Sequence, residues 1–433
     1  MKAALLFLAA GLLSGSAYAA TELTYWDFLG GGDGVRMKQI VDEFNKSQSD
    51  IHVTESTLTW GEPFYTKVHT GVVSGQTPDV MTYHLSHFAA GIQGKDLRPI
   101  TNEELAAAGL KQSDFQDSII QRSLELSKKY GQSDDLFGVP LDIHTLVLYY
   151  NKTALQKAGL LGSDGKPTGT DSIDAFNKML AEAKAKTHLL PIAESTNTEE
   201  PASCWRVWYT LFKQQGGDFL KDGKLTFDDV EKQGTTSLQI MADWMKNGFT
   251  PKSTNYPSAI ALFSAGRAVF MMNGNWEVPT MVDLAKNKKL PFDYGVMAFP
   301  TFYDKSDTWA DSHQLAIPNN PKNPPTPEKV AAALKFAAYV VKQVTWAGGG
   351  HIPCYLPVQQ SEEYKQMVPN NEYSADAAKH VSLEPALPIF GVGGPTFSPI
   401  SNFLVPAWND QIPVDQAIKS FDTELQKFVQ QQG

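Results

Sequence analysis

Residues 23–83 alternate strand-forming and helix-forming segments in the order β-α-β-α-β, and nothing else in the chain restricts its fold as strongly. Leu23-Thr24-Tyr25-Trp26-Asp27-Phe28 has the aromatic and β-branched content of a strand and is broken by Gly30-Gly31-Gly32-Asp33-Gly34. Val35, Met37, Ile40, Val41 and Phe44 then recur at the spacing of one helix face. Residues 51–57 read as a second strand, 63–73 as a second helix and 78–83 as a third strand. Strands separated by helices pair in parallel through right-handed crossovers. The residues that follow them therefore gather along one sheet edge: Trp26, Asp27 and Phe28, then Thr59 and Trp60, then Tyr83 and His84. Ligands of open α/β sheets bind at that edge.

Two later stretches carry the same signature. Residues 139–152 form a run apolar enough for the inside of a sheet, yet Asp142 and His144 stand near its start. Val269, Phe270, Met271 and Met272 lack alternation, as a strand covered on both faces does, and end in Asn273, Gly274, Asn275 and Trp276. A helix-rich region over 171–247 lies between them, and strands are expected over 293–299 and 312–317. The Pro/Asn/Lys run 318–327 reads as a solvated loop, with Pro327 opening a helix over 328–343.

Lys2, an apolar stretch over 3–13 and Ala17-Tyr18-Ala19 have the form of a cleaved secretory signal peptide, because the apolar core falls short of the about 20 residues that span a bilayer. The mature chain is expected to start at Ala20, without a lipid anchor, in the periplasm. Its length exceeds the about 250–300 residues that one core organises, so two lobes are expected. The net charge of −10, without long like-charge runs, argues against nucleic acid and anionic membrane as partners. Cys204 and Cys354 are an even number in an oxidising compartment; pairing and two buried thiols both remain open.

Several elements together resemble the extracellular solute-binding proteins of the sugar-binding type, the maltose-binding-protein-like components of ABC importers. They are Ser74-Gly75-Gln76-Thr77-Pro78-Asp79-Val80; Tyr149-Tyr150-Asn151-Lys152 with Ala158-Gly159-Leu160; Phe263, Gly266-Arg267-Ala268, Phe270-Met271, Gly274 and Trp276; Leu315-Ala316-Ile317; and Gly350 with Ile352-Pro353. The resemblance implies an α/β, two-lobed periplasmic-binding-protein fold (type II-like), each lobe a mainly parallel sheet flanked by helices, with the ligand between lobes. It implies a signal peptide over 1–19, an N-lobe from 20–141 with a return segment 298–322, and a C-lobe from 142–297 and 323–433. The chain departs from the family's pattern at Trp309-Ala310-Asp311-Ser312-His313 and at His351, where many relatives have small residues. Specificity therefore cannot be copied from a relative.

A sugar presents hydroxyls around flat C–H patches, so its site needs aromatic faces together with carboxylates, amides and imidazoles. Trp276 supplies such a face, and Asn273 and Asn275 each offer a donor and an acceptor. Gly274 allows close backbone approach. The other candidate ligand contacts are Trp26, Asp27, Trp60, Tyr83, His84, Asp142, His144, Trp309, Asp311, His313 and His351. Trp205, Arg206 and Trp208 share a helical turn and cannot all face inward; Trp205 is the expected contact. Each has a blander alternative in turn chemistry or lobe packing.

Chemistry beyond binding has little support. His84-x-x-His87 lacks a completing ligand set, and no H-E-x-x-H, G-x-S-x-G, P-loop or dinucleotide fingerprint is present, so no metal, cofactor or catalytic residue is expected. The implied function is periplasmic capture of a carbohydrate or sugar derivative by lobe closure, and delivery by a monomer to the permease of an ABC importer. The alternatives are a secreted glycosidase, whose carboxyl pair would be drawn from Asp27, Asp142 and Asp311, and a binding protein for a non-sugar solute.

Overall fold

The computed structural model describes residues 20–221 and 224–432; the expected signal peptide lies outside them. The β-α-β-α-β reading is realised as Thr21–Asp27, Gly32–Ser47, Ile51–Thr57, Glu62–Ser74 and Val80–His84. The three strands pair in parallel, with Thr21–Asp27 in the middle and Asp27 opposite Thr57. Their carboxyl ends thus share one edge. Both helices start there, behind Gly31 and Gly61, which adopt the same left-handed backbone (φ +89° at each) that a side chain would strain.

The first sheet runs in the order Ile51–Thr57, Thr21–Asp27, Val80–His84, His313–Ala316, Val139–Pro140. The second contains Val381–Leu383, Thr308–Asp311, Asp142–Asn151, Ala268–Gly274 and Leu190–Ala193; Tyr294–Ala298 and Ile352–Pro353 also pair with Asp142–Asn151. Two stretches pass from sheet to sheet. The outgoing one, residues 139–151, changes sheet at Leu141; the returning one, 308–316, changes at Ser312, and the Leu141 N–H donates to the His313 carbonyl at 2.9 Å. The expected parallel order therefore holds within residues 21–84. The crossing stretches add antiparallel pairs, His313 opposite His84 and Asp311 opposite His144, because they enter from the other lobe.

Ala268–Gly274 is buried at every position, as its unbroken apolar run predicts. The return to the first sheet starts at His313, well after the expected residue 298, since Thr308–Asp311 still belongs to the second. The helix Pro327–Val341, expected with the second lobe, packs on the first: Phe336 meets Tyr25 edge-on at 5.5 Å and Phe44 at 5.2 Å. The Pro/Asn/Lys run before it is a loop, as expected, tied to the first lobe where Asn320 Nδ2 donates to Thr77 Oγ1 at 3.0 Å. Cys204 and Cys354 are buried free thiols in separate hydrophobic clusters. Among the described residues no helix is long and apolar enough to cross a membrane.

Candidate functional site

A cleft of about 980 Å³ lies at the shared strand ends and takes its walls from both sheets. Phe28, Leu29, Gly30, Asp33, Trp60, Gly61 and His84 come from the first lobe. His144, Arg206, Tyr256, Trp276 and Glu277 come from the second, His313 from the return stretch, and Gly393 to Phe397 close one side. Of the residues singled out by sequence, Trp60, His84, His144, Trp276 and His313 line the cleft. Trp60 keeps 38 % of its surface exposed, an unusual state for an indole that nothing covers.

Trp276 is held by its neighbours. Its indole N–H donates to the Tyr256 hydroxyl at 2.7 Å; that hydroxyl lies 2.7 Å from Glu277 Oε1 and 3.1 Å from Asn273 Oδ1. Asn273 Oδ1 also accepts the Gly274 N–H at 2.8 Å, and Asn275 Oδ1 accepts the Thr145 N–H at 3.2 Å. Asn273, Gly274 and Asn275 therefore stand behind the cleft wall. The amides satisfy backbone groups at the strand end, and the glycine leaves room for the indole, because a β-carbon there would meet the ring at 2.0 Å.

The 201–214 helix reverses the expected choice. Trp205 stacks on Trp208 at 5.4 Å in the core and donates to Glu384 at 2.8 Å, while Arg206 lines the cleft. The Arg206 guanidinium lies 4.6 Å from the Trp276 ring centre, 4.7 Å from Trp309 and 5.7 Å from Trp60. Aromatic faces hold a desolvated cation in place. Among the described residues none accepts a hydrogen bond from it. Burial lowers its pKa from the ordinary arginine value.

The remaining candidates support the site without lining it. Trp309 is buried and donates to Glu384 at 2.7 Å. Asp27 accepts the Leu29 N–H at 2.9 Å and the Thr57 hydroxyl at 3.3 Å, fixing the first strand end, while Trp26 turns to the opposite sheet face under Lys67. Tyr83 packs against Tyr65, ring centres 5.0 Å apart. Asp311 accepts the Ser86 N–H and hydroxyl at 2.9 and 2.5 Å; burial and the nearby Glu384 push its carboxyl up to about 7.

Asp142 lies beneath the cleft floor with all its exposure lost. Its Oδ1 is 3.1 Å from His144 Nδ1 and accepts the His313 backbone N–H at 3.2 Å. Its Oδ2 is 2.9 Å from His313 Nδ1 and accepts the Trp346 indole N–H at 2.9 Å. Burial alone would raise this carboxyl, but the facing histidines hold it well below the usual carboxylate range. His144 falls to about 3 through burial and then His313, and burial also depresses His84, so both are neutral donor-acceptors at neutral pH. His84 shares a 2.5 Å hydrogen bond with Tyr65 and stacks on Phe28 at 4.4 Å. His351 is buried behind this layer, stacked on Trp346 at 4.7 Å.

Sequence reasoning missed Leu29, Arg206 as the inward residue, Tyr256, Glu277 and the 393–397 segment. The glycine run 391–394 was a readable signal for the last; Tyr256 carried none. None of the three aspartates considered for glycoside hydrolysis lines the cleft.

Residues 31–343 match the bacterial extracellular solute-binding protein family. The chain belongs to that family. This solute-binding protein is 23% identical over 282 residues to the multiple sugar-binding protein of Streptococcus mutans, a match covering 61% of the chain and 59% of that relative. It is 22% identical over 390 residues to the sn-glycerol-3-phosphate-binding periplasmic protein UgpB of Pectobacterium atrosepticum, covering 87% of the chain and 83% of the relative. Among solved structures, maltose-bound T. maritima MalE3 superposes with a TM-score of 0.78 at 19% identity, over 94% of this chain and all of that one. That likeness fixes the two-lobed fold.

Proposed function

We propose that this solute-binding protein captures a hydroxylated solute, a sugar or sugar derivative, between its two lobes in the periplasm and hands it unchanged to the permease of an ABC importer. One observation carries the reading: Trp60 and Trp276, from different lobes, flank a cleft floored by His84, His144 and His313. Indole faces cover C–H patches, and the neutral imidazoles of His84 and His144 donate to and accept from hydroxyls. A ligand touching both lobes favours the closed form, since only differential contact shifts such an equilibrium. The named relatives bind sugars and sn-glycerol 3-phosphate, which agrees with this chemistry.

Arg206 refines the class. A guanidinium to which none of the described residues offers an acceptor favours a sugar derivative carrying an acidic group. Two carboxylates along the cleft are engaged elsewhere: Glu277 by the Tyr256 hydroxyl, and Glu200 by the Tyr256 N–H. The test is a thermal-shift screen over neutral sugars, polyols and their phosphorylated, sulfonated and carboxylated forms. It is followed by calorimetry and by mass spectrometry of the recovered solute. One-to-one binding without product is expected; turnover of a glycoside would refute the reading.

A further inference from the structure

We propose that Asp142, His144, His313 and His351 form a buried site for a tetrahedrally coordinated divalent transition metal, with zinc the ion that the donor set suits best. One ligand atom from each of the four lies within 4.8 Å of all the others, and all four side chains are buried. His313 Nδ1 is 2.9 Å and His351 Nδ1 3.7 Å from Asp142 Oδ2, and His144 Nδ1 is 3.1 Å from Asp142 Oδ1. Zinc bonds of about 2.0–2.1 Å in a tetrahedron place ligand atoms about 3.3–3.4 Å apart, inside that range. Three imidazoles and a carboxylate are a donor set that zinc takes and that magnesium and calcium, which prefer all-oxygen shells, do not.

Hydrogen bonding alone explains two of the histidines and leaves the third unexplained. His144 and His313 each reach an oxygen of Asp142. His351 has 0 % exposure, and among the described residues neither ring nitrogen has a hydrogen-bond partner. An imidazole always carries at least one N–H, so a buried ring with both nitrogens unmet is costly. Its orientation is nevertheless enforced: Trp346 stacks on it with planes 3° apart while donating its own N–H to Asp142. With Nδ1 on a metal, His351 Nε2 faces Asp33 Oδ2 at 3.7 Å, the carboxylate–histidine–metal order that fixes ligand tautomers.

The four ligands come from the start of Asp142–Asn151, the start of His313–Ala316 and the turn before Ile352–Pro353, so the ion would tie both sheet-crossing stretches together where the lobes meet. Asp142 and His351 lie behind the cleft while His144 and His313 also form its floor; the metal assignment does not depend on which solute the cleft takes.

The test uses the full mature chain, purified without a polyhistidine tag and analysed by plasma mass spectrometry before and after chelation. Expected are one metal per chain, restored melting temperature on adding zinc to the chelated protein, and the visible absorption of tetrahedral cobalt(II) on adding cobalt. His351→Gln should weaken zinc binding about tenfold or more, and exposed His188→Gln should leave it unchanged. Asp142→Asn serves as a second variant if it folds. A chain without metal, whose melting temperature ignores zinc and cobalt, would overturn the proposal and point to water in the gaps around His351. Zinc binding equally tight in His351→Gln would also overturn it, as adventitious surface binding.

Discussion

The indole of Trp276 occupies the space that a side chain at residue 274 would need: a β-carbon on Gly274 would sit 2.0 Å from the ring. Gly274 has an ordinary extended backbone, φ −79°, so its requirement is steric rather than conformational. Gly274→Ala should displace Trp276 from the cleft wall, lower ligand affinity at least tenfold, and cost about 1–3 kcal/mol of stability through overpacking. Calorimetry with any solute that stabilises the wild type checks this, and Trp276→Ala should lose affinity without the overpacking cost.

Gly393, at φ +71°, meets the other lobe at Glu62, where an added β-carbon would lie 2.7 Å from the backbone nitrogen. Gly393→Val should disfavour lobe closure without disturbing either core. A penalty of about 1–2 kcal/mol on the closed state lowers apparent affinity about 5–30-fold. Small-angle scattering should show a larger radius of gyration in the variant than in the wild type; identical profiles would sink the idea that this loop latches the cleft.

Arg206→Met keeps an apolar stem between Trp276 and Trp309 and removes the charge. Loss of a hydrogen-bonded charge costs about 1.5–3 kcal/mol, so binding of an acidic sugar derivative should weaken about tenfold to a hundredfold while neutral sugars change little. Equal losses for both would show that Arg206 packs rather than recognises.

Glu194 is buried and accepts the Ser195 N–H at 2.8 Å through one oxygen, while among the described residues the other has no partner. Burial pushes its carboxyl up to about 8, against the Ser195 hydrogen bond and the charge of Arg206. A raised folded-state value makes its contribution complete below pH 4.5 and progressively lost as pH rises toward 8. Glu194→Gln should abolish that decline. Relative to wild type it should gain about 1–4 kcal/mol across this window, at about 1.4 kcal/mol per unit of pKa separation. Urea melts at pH 5 and pH 8 measure the difference, and parallel pH profiles would refute the assignment.

The site was half legible, and the division follows the kind of information each residue carries. Trp60, His84, His144 and His313 follow strand ends or sheet crossings, so topology alone brings them to the cleft. Trp205 and Arg206 occupy adjacent helix positions, and the periodicity of one turn cannot say which faces in. The core took the larger apolar surface of Trp205, Trp208 and Phe212, which left the guanidinium at the cleft. Asp27 and Asp311 have the chemistry of sugar ligands but are consumed by the N–H and O–H groups of Leu29, Thr57 and Ser86. Composition cannot show that a carboxylate is already occupied.

What the sequence determined by itself is the material and its order: an alternating α/β chain with aromatic and imidazole side chains at the strand ends, and a fully apolar strand before Trp276. Those features are local, because they depend on period and on the residues that break it. The tertiary structure decided which polar groups were free to face a solute, since that depends on partners brought from distant segments. It also decided where the chain changes sheets, because Leu141 and Ser312 differ from their neighbours only in lying where two antiparallel stretches cross.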